Sequence, residues 1–186
     1  MSSNTSADQP TTQAATPESI YEKSLELSKN TQSIIPFMED EIVRLEEESA
    51  AFVAGERENT EFTPFRLKQG VYGQRQADVQ MIRVKIPGGI ITPEQMDAMG
   101  EFSTKYAPLG KGHITTRENF QFHHVPLDQC PDGLRLLGSA GLSTREACGN
   151  VVRNVVGSPT SGVCASEVFD PTPYLAAFVR FAVRHP

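Results

Sequence analysis

Val79-Gln80-Met81-Ile82-Arg83-Val84-Lys85-Ile86-Pro87-Gly88-Gly89-Ile90-Ile91-Thr92-Pro93-Glu94-Gln95 carries a strand, a break and a helix start in one run. Ile82, Val84 and Ile86 alternate with Met81, Arg83 and Lys85 in the period-two pattern of a half-buried strand, so Arg83 and Lys85 share a face. Pro87-Gly88-Gly89 breaks that strand. Thr92 then stands where a helix cap belongs, with Pro93 at the first helical position and Gln95 closing a capping box. Met96, Met99, Phe102 and Tyr106 recur at helical spacing and read as core as far as about Ala107, where Pro108 and Gly110 stop the helix.

Two short strands follow, Gly112–Thr116 and Phe120–Val125, joined by the hairpin-sized tip Arg117-Glu118-Asn119. Alternation puts Phe120, Phe122 and His124 on one face and Gln121 and His123 on the other. A second helix is expected near Pro131–Ala140 through Leu134, Leu136 and Leu137, ending at Gly141, and a last strand over Asn150–Val156. The order β-α-β-β-α-β predicts an α+β, ferredoxin-like half-domain. Its four-stranded antiparallel sheet carries both helices on one side and leaves the other face open to a ligand. Arg83 and Arg153 are expected on the two central strands, each interrupting an apolar alternation at a cost unless paired.

Outward from this centre the chain changes character. Residues 1–17 lack apolar periodicity and are expected to be a disordered tail. Residues 18–61 read as an acidic helical extension, with helices near Pro17–Ser28 and Pro36–Ala54, and Glu61–Gln76 as an extended arm because it contains Pro64, Gly70 and Gly73. The boundary of the half-domain (62–141) is set near Phe62. Residues 1–61 hold 13 acidic against 4 basic side chains, whereas residues 62–186 hold 10 against 13, so a positive domain sits inside an acidic chain. That balance suggests an anionic small ligand. Nucleic acid would call for a denser basic stripe, and no membrane partner is expected either. No apolar run reaches the ~18 residues of a spanning helix and no signal peptide opens the chain, so a cytoplasmic location is expected. Cys130, Cys148 and Cys164 form no C-x-x-C pair and read as free thiols. Neighbouring His123 and His124 point to opposite strand faces and make no metal pair.

Chemistry concentrates in one stretch. Lys111, His113, Thr115, Thr116, Arg117, Asn119, Gln121 and His123 fall on two adjacent strands and their turn, and with Arg83, Lys85 and Arg153 they make a donor-rich face. Fork-shaped guanidinium groups suit a ligand with several carboxylates, or a small oxyanion.

The motifs Met81-Ile82-Arg83-Val84-Lys85-Ile86-Pro87-Gly88-Gly89, Gly112-His113-Ile114-Thr115-Thr116-Arg117-Glu118-Asn119-Phe120-Gln121-Phe122-His123 and Asn150-Val151-Val152-Arg153-Asn154-Val155 strongly resemble the sirohaem-dependent nitrite and sulfite reductase family. Gly70-Val71-Tyr72-Gly73-Gln74-Arg75-Gln76 resembles the stretch before that family's first strand. The resemblance implies an oxidoreductase that reduces sulfite to sulfide or nitrite to ammonia at a sirohaem coupled to a [4Fe–4S] cluster, fed by ferredoxin or a flavoprotein. It implies substrate-anion binding by Arg83 and Arg153. It also implies sirohaem contacts from His113, Thr115, Arg117, Asn119, Gln121 and His123, with His113 standing where other members often have arginine. The family's cluster cysteines lie further along and have no counterpart here. By the same comparison residues 142–186 begin the sirohaem/[4Fe–4S] reductase domain. Asp170-Pro171-Thr172-Pro173 opens a helix with an apolar stripe of Leu175, Phe178, Val179 and Ala182, which reads as truncated, and the fragment alone is expected to be inactive. Alternatives are a stand-alone, non-catalytic ferredoxin-like binding module and a precorrin-3B synthase-like tetrapyrrole enzyme.

Overall fold

Ile42, Leu45 and Ser49 recur at helical spacing and form the buried side of α1 (Glu39–Val53), whose first turn holds Glu39, Asp40 and Glu41 against the positive end of the helix dipole. The computed structural model describes residues 38–76, 78–147, 151–161 and 163–184. The helix expected near Pro17–Ser28 lies outside them.

The expected extended arm is helical over its first half. Residues Asn59–Lys68 form α2, with Pro64 inside it. Proline lacks the N–H that would reach Thr60 O and costs about 3 kcal/mol in an isolated helix. Phe62 offsets that cost: it is 1% exposed and stacks on Phe52 of α1 with ring centroids 4.5 Å apart. Burying a Phe side chain contributes about 1.5–3 kcal/mol, so packing overrides local propensity, and α2 runs straight through Phe62. Gly70 then turns the chain at φ 77°, where a Cβ would lie 2.0 Å from Thr144 O.

The sheet is antiparallel throughout, in the order β1-β2-β4-β3, built from β1 (Val71–Gly73), β2 (Val79–Val84), β3 (Gly112–Ile114) and β4 (Phe120–Pro126). Between β2 and β3 runs α3 (Pro93–Lys105), with the capping box in place: Gln95 N–H donates to Thr92 Oγ1 and Thr92 N–H to Gln95 Oε1. Met99, Phe102 and Tyr106 are buried, but Met96 is half exposed; Gln95 and Ala98 take the inward positions instead. After β4 comes α4 (Cys130–Ser139), inward through Leu134 and Leu137. The core sits between these helices and the sheet, with the Phe102 and Phe122 rings 4.4 Å apart. The molecule is thus an α+β, ferredoxin-like arrangement with one sheet face open.

Two strand details differ from the period-two reading. Gln80 pairs with Val125 but Ile82 with Phe122, so β4 carries an extra residue at His123–His124, and His124 has φ 61°. This bulge turns Val125 inward beside Phe122 and takes His124 off the face that strict alternation assigns. The last strand does not form: residues 151–157 make no ladder. The edge beside β2 is already taken by β1 and, further along, by Ser143, whose carbonyl accepts from Lys85 N–H at 2.9 Å. Arg153 therefore does not lie on a central strand. Its segment is tied across the strand ends instead, through Gly88 N–H to Val155 O (2.8 Å) and Asn154 Nδ2 to Ile86 O (3.0 Å) and Arg117 O (2.8 Å).

The final helix, α5 (Thr172–Arg184), starts where Asp170 Oδ1 accepts from Thr172 N–H. Val179 and Ala182 are buried and Val155 and Leu175 pack on Val179, so the stripe is partly partnered, while Tyr174, Phe178 and Phe181 are exposed. No helix among the described residues is long and apolar enough to cross a membrane.

Candidate anion-binding face

Antiparallel register decides which side chains share the open face. Tyr72 pairs with Met81, Arg83 with Gln121, and Gln121 with His113, so Tyr72, Arg83, His113, Gln121 and His123 line the side of the sheet away from α3 and α4. Arg83 lies over the Tyr72 ring at 5.1 Å, and its Nη1 donates to Ala147 O at 3.4 Å. With its amide oxygen turned toward the arginine, the orientation that satisfies both groups, Gln121 accepts from Arg83 Nε at 2.9 Å. The rings of His113 and His123 meet edge to face at 5.1 Å.

The hairpin tip is held by its own polar groups. Thr115 Oγ1 accepts from the N–H of Arg117 and of Asn119, and Glu118, at φ 64°, donates its N–H to Thr115 O. Asn119 is buried and its Oδ1 accepts from Ile86 N–H at 3.2 Å, locking the tip to the end of β2. Thr115 and Asn119 therefore shape the loop that displays Arg117.

Arg83, Thr115, Thr116, Arg117, Asn119, Gln121 and Arg153 line one open cavity of about 320 Å³. It draws together six of the eight site residues expected from sequence; His113 and His123 lie further along the same face. Burial lowers the pKa of Arg83, and the positive charges of Arg153 and Arg117 lower it further. Three guanidinium groups facing one hollow make a site that an anion would relieve. Larger hollows of about 430 and 800 Å³ lie by α5, but their linings are mainly apolar and include none of these arginines.

Lys85 corrects the expectation that it joins the ligand face. It is 2% exposed and donates from Nζ to Val152 O at 3.0 Å; burial, only partly offset by nearby Glu146, brings its pKa down to about 8. Sequence reading missed Tyr72 as the platform under Arg83, although the Gly70–Gln76 motif contains it. Among the described residues no cluster of His, Cys, Asp and Glu is arranged to hold a metal ion. Cys130 is buried, and burial pushes its thiol up, whereas the exposed Cys164 thiol is drawn down by the Ser166 hydroxyl. Cys148 lies outside the described residues.

A ferredoxin-like half-domain with guanidinium groups gathered on its open sheet face is a candidate for binding an anion. Residues 72–140 match the nitrite/sulfite reductase ferredoxin-like half-domain family, in agreement with the resemblance carried by the motifs. The chain is 37% identical over 106 residues to a sulfite reductase [ferredoxin] of Mycolicibacterium paratuberculosis, covering 57% of this chain and 19% of that protein. It is 32% identical over 148 residues to the chloroplastic ferredoxin–nitrite reductase of Arabidopsis thaliana, covering 78% and 25% respectively. The solved structure of the Mycobacterium tuberculosis NirA protein matches with a TM-score of 0.60 at 29% identity, over 68% of this chain and 26% of that one. The chain thus spans about a fifth to a quarter of the length of these relatives.

Proposed function

We propose that this chain is the N-terminal portion of a cytoplasmic sirohaem/[4Fe–4S] oxidoreductase that reduces sulfite to sulfide or nitrite to ammonia, with ferredoxin as the electron donor. The observation that carries this reading is the convergence of Arg83, Arg117 and Arg153 on one cavity of the open sheet face. Relatives named for sulfite, nitrite and ferredoxin support the choice of substrates and donor. In this reading residues 62–141 form the half-domain, preceded by the tail (1–17) and the acidic extension (18–61), and residues 142–186 begin the reductase domain.

The donor set suits a polycarboxylate macrocycle, because guanidinium groups and an imidazole pair line one sheet face. Sirohaem would be held by His113, Thr115, Arg117, Asn119, Gln121 and His123 and, with the [4Fe–4S] cluster of the complete enzyme, would supply electrons to the substrate. Thr115 and Asn119 act through the loop they lock, and Arg117 supplies the charge. Arg83 and Arg153 clamp the substrate anion, and Tyr72 and Gln121 hold Arg83 in place for that work.

The test is substitution in the enzyme that contains this chain. Arg83→Ala or Arg153→Ala lowers sulfite or nitrite turnover while sirohaem absorbance is retained; Arg117→Ala lowers sirohaem occupancy. Unchanged kinetics in the first pair would sink the anion assignment, and full occupancy in the third would sink the cofactor contact.

A further inference from the structure

The β4 bulge has a chemical consequence. By giving His124 a positive φ, it aims the His124 N–H at Gln74 Oε1, 2.7 Å away in the turn after β1. A backbone N–H can only donate, so the oxygen of the Gln74 amide must face it. The other end of that amide, Nε2, is then a donor, and it lies 3.1 Å from His123 Nδ1. Nδ1 must therefore accept. In a neutral imidazole the remaining proton is on Nε2.

We propose that Gln74 is a positioning residue which holds His123 as the neutral Nε2–H tautomer, a fixed hydrogen-bond donor to a carboxylate on the open sheet face. Protonating His123 would set an N–H at Nδ1 against the Gln74 amide N–H, donor against donor. The charged groups around His123 act in the same sense. They are His113 on β3, His124 on its own strand and Arg83 on β2, and after burial each lowers its pKa. The half-buried ring stands edge to face with exposed His113, so the pair combines one neutral donor of fixed tautomer with a solvent-exposed partner. Only the identity of the carboxylate rests on the sirohaem reading.

The test needs no ligand and no turnover. Histidine ¹⁵N–¹H correlation spectra of the 186-residue chain, with His123 assigned through His123→Gln, report the tautomer directly. The expected result is a His123 ring with unprotonated Nδ1 and protonated Nε2, titrating below the ordinary histidine value. Gln74→Glu keeps an acceptor for His124 N–H but offers a carboxylate to Nδ1; it should invert the tautomer and move the titration upward. His124→Gly keeps the backbone N–H and suits the positive φ, so it should leave the tautomer unchanged. A His123 proton on Nδ1 in the parent chain, or identical His123 spectra in the parent and Gln74→Glu, would overturn the proposal. The sirohaem reading stands or falls separately, on cofactor occupancy in Arg117→Ala.

Discussion

Two groups of arginines in this chain are treated in opposite ways. Arg135 on α4 donates to Glu39 and Glu46 of α1 and to Asp132, at 2.8, 2.9 and 3.0 Å, and Arg145 pairs with Glu41. Burial alone would lower the Arg135 pKa, yet its hydrogen bonds to Glu46, Glu39 and Asp132 outweigh burial and raise it. On the other side of the molecule Arg83, Arg117 and Arg153 face one another across a hollow, and each neighbour makes Arg83 a weaker base. Both groups carry the same side chain. One pairs with the chain's own carboxylates and fastens α1 to α4 and to the segment after it; the other gathers positive charge around one cavity. The acidic surplus of residues 1–61 is thus spent in part as structure, through three glutamates of α1, rather than only as a solvated face.

The strongest way to break this contrast is to remove both arginines proposed to clamp the anion. Arg83→Ala with Arg153→Ala should weaken sulfite or nitrite binding by roughly a hundredfold or more, since each charge-assisted hydrogen bond contributes about 1.5–3 kcal/mol. Arg135→Ala should leave that affinity alone. Calorimetric titration of the enzyme containing this chain decides it, and equal losses in both variants would erase the distinction.

Lys85 stands between the two groups, two residues from Arg83 and under the influence of Glu146 and Arg145. Its folded pKa of about 8 lies below the ordinary 10.5. Between those values the unfolded chain holds more protons than the native one, so stability rises with pH across that window. The contribution is on the order of 3 kcal/mol, at about 1.36 kcal/mol per unit. The difference between urea midpoints of the parent and Lys85→Met, followed from pH 7 to pH 11, should show this rise; parallel curves would mean that Lys85 keeps its charge cheaply.

Arg135→Ala should lower the unfolding free energy by about 2 kcal/mol, because Glu39 is largely buried and would lose its partner. Arg83→Ala should cost about 1 kcal/mol, since relief of mutual repulsion offsets part of the loss of its bonds to Ala147 O and Gln121 and of its place over Tyr72. Chemical denaturation of the two variants side by side sharpens the comparison, and the reverse ranking would contradict it. A comparably small effect is expected for Asn154→Ala, which unties the Arg153 segment from Ile86 O and Arg117 O at about 1 kcal/mol. Anion affinity should fall only severalfold, measured by the same titration.

Much of this was legible in the chain. The alternation of Ile82 and Val84, the Thr92–Gln95 capping box and the helical spacing of Met99, Phe102 and Tyr106 predicted elements that the structure contains. Three errors share one cause. Pro64 argued against a helix, Asn150–Val156 alternated like a strand and Met96 kept the apolar spacing, yet each was decided by a neighbour distant in sequence. Phe52 supplied the packing that carries Pro64 within α2. β1 and Ser143 had already filled the sheet edge. The α3 face turned so that Ala98 and Gln95 point inward.

By itself the sequence determined the class of fold, the hairpin that displays Arg117, and the chemical nature of the open face, because these depend on short-range periodicity, caps and residue type. Tertiary structure alone decided which cations line the cavity. Arg83 and Lys85 sit two apart on one face and look equivalent as sequence, but the returning segment covers Lys85 with Val152 O and leaves Arg83 beside the cavity. It also decided the protonation geometry of His123, through a single extra residue in β4 that brings the His124 N–H to Gln74. Burial and hydrogen-bond partners are set by chain segments that meet only in three dimensions, and no local pattern encodes them.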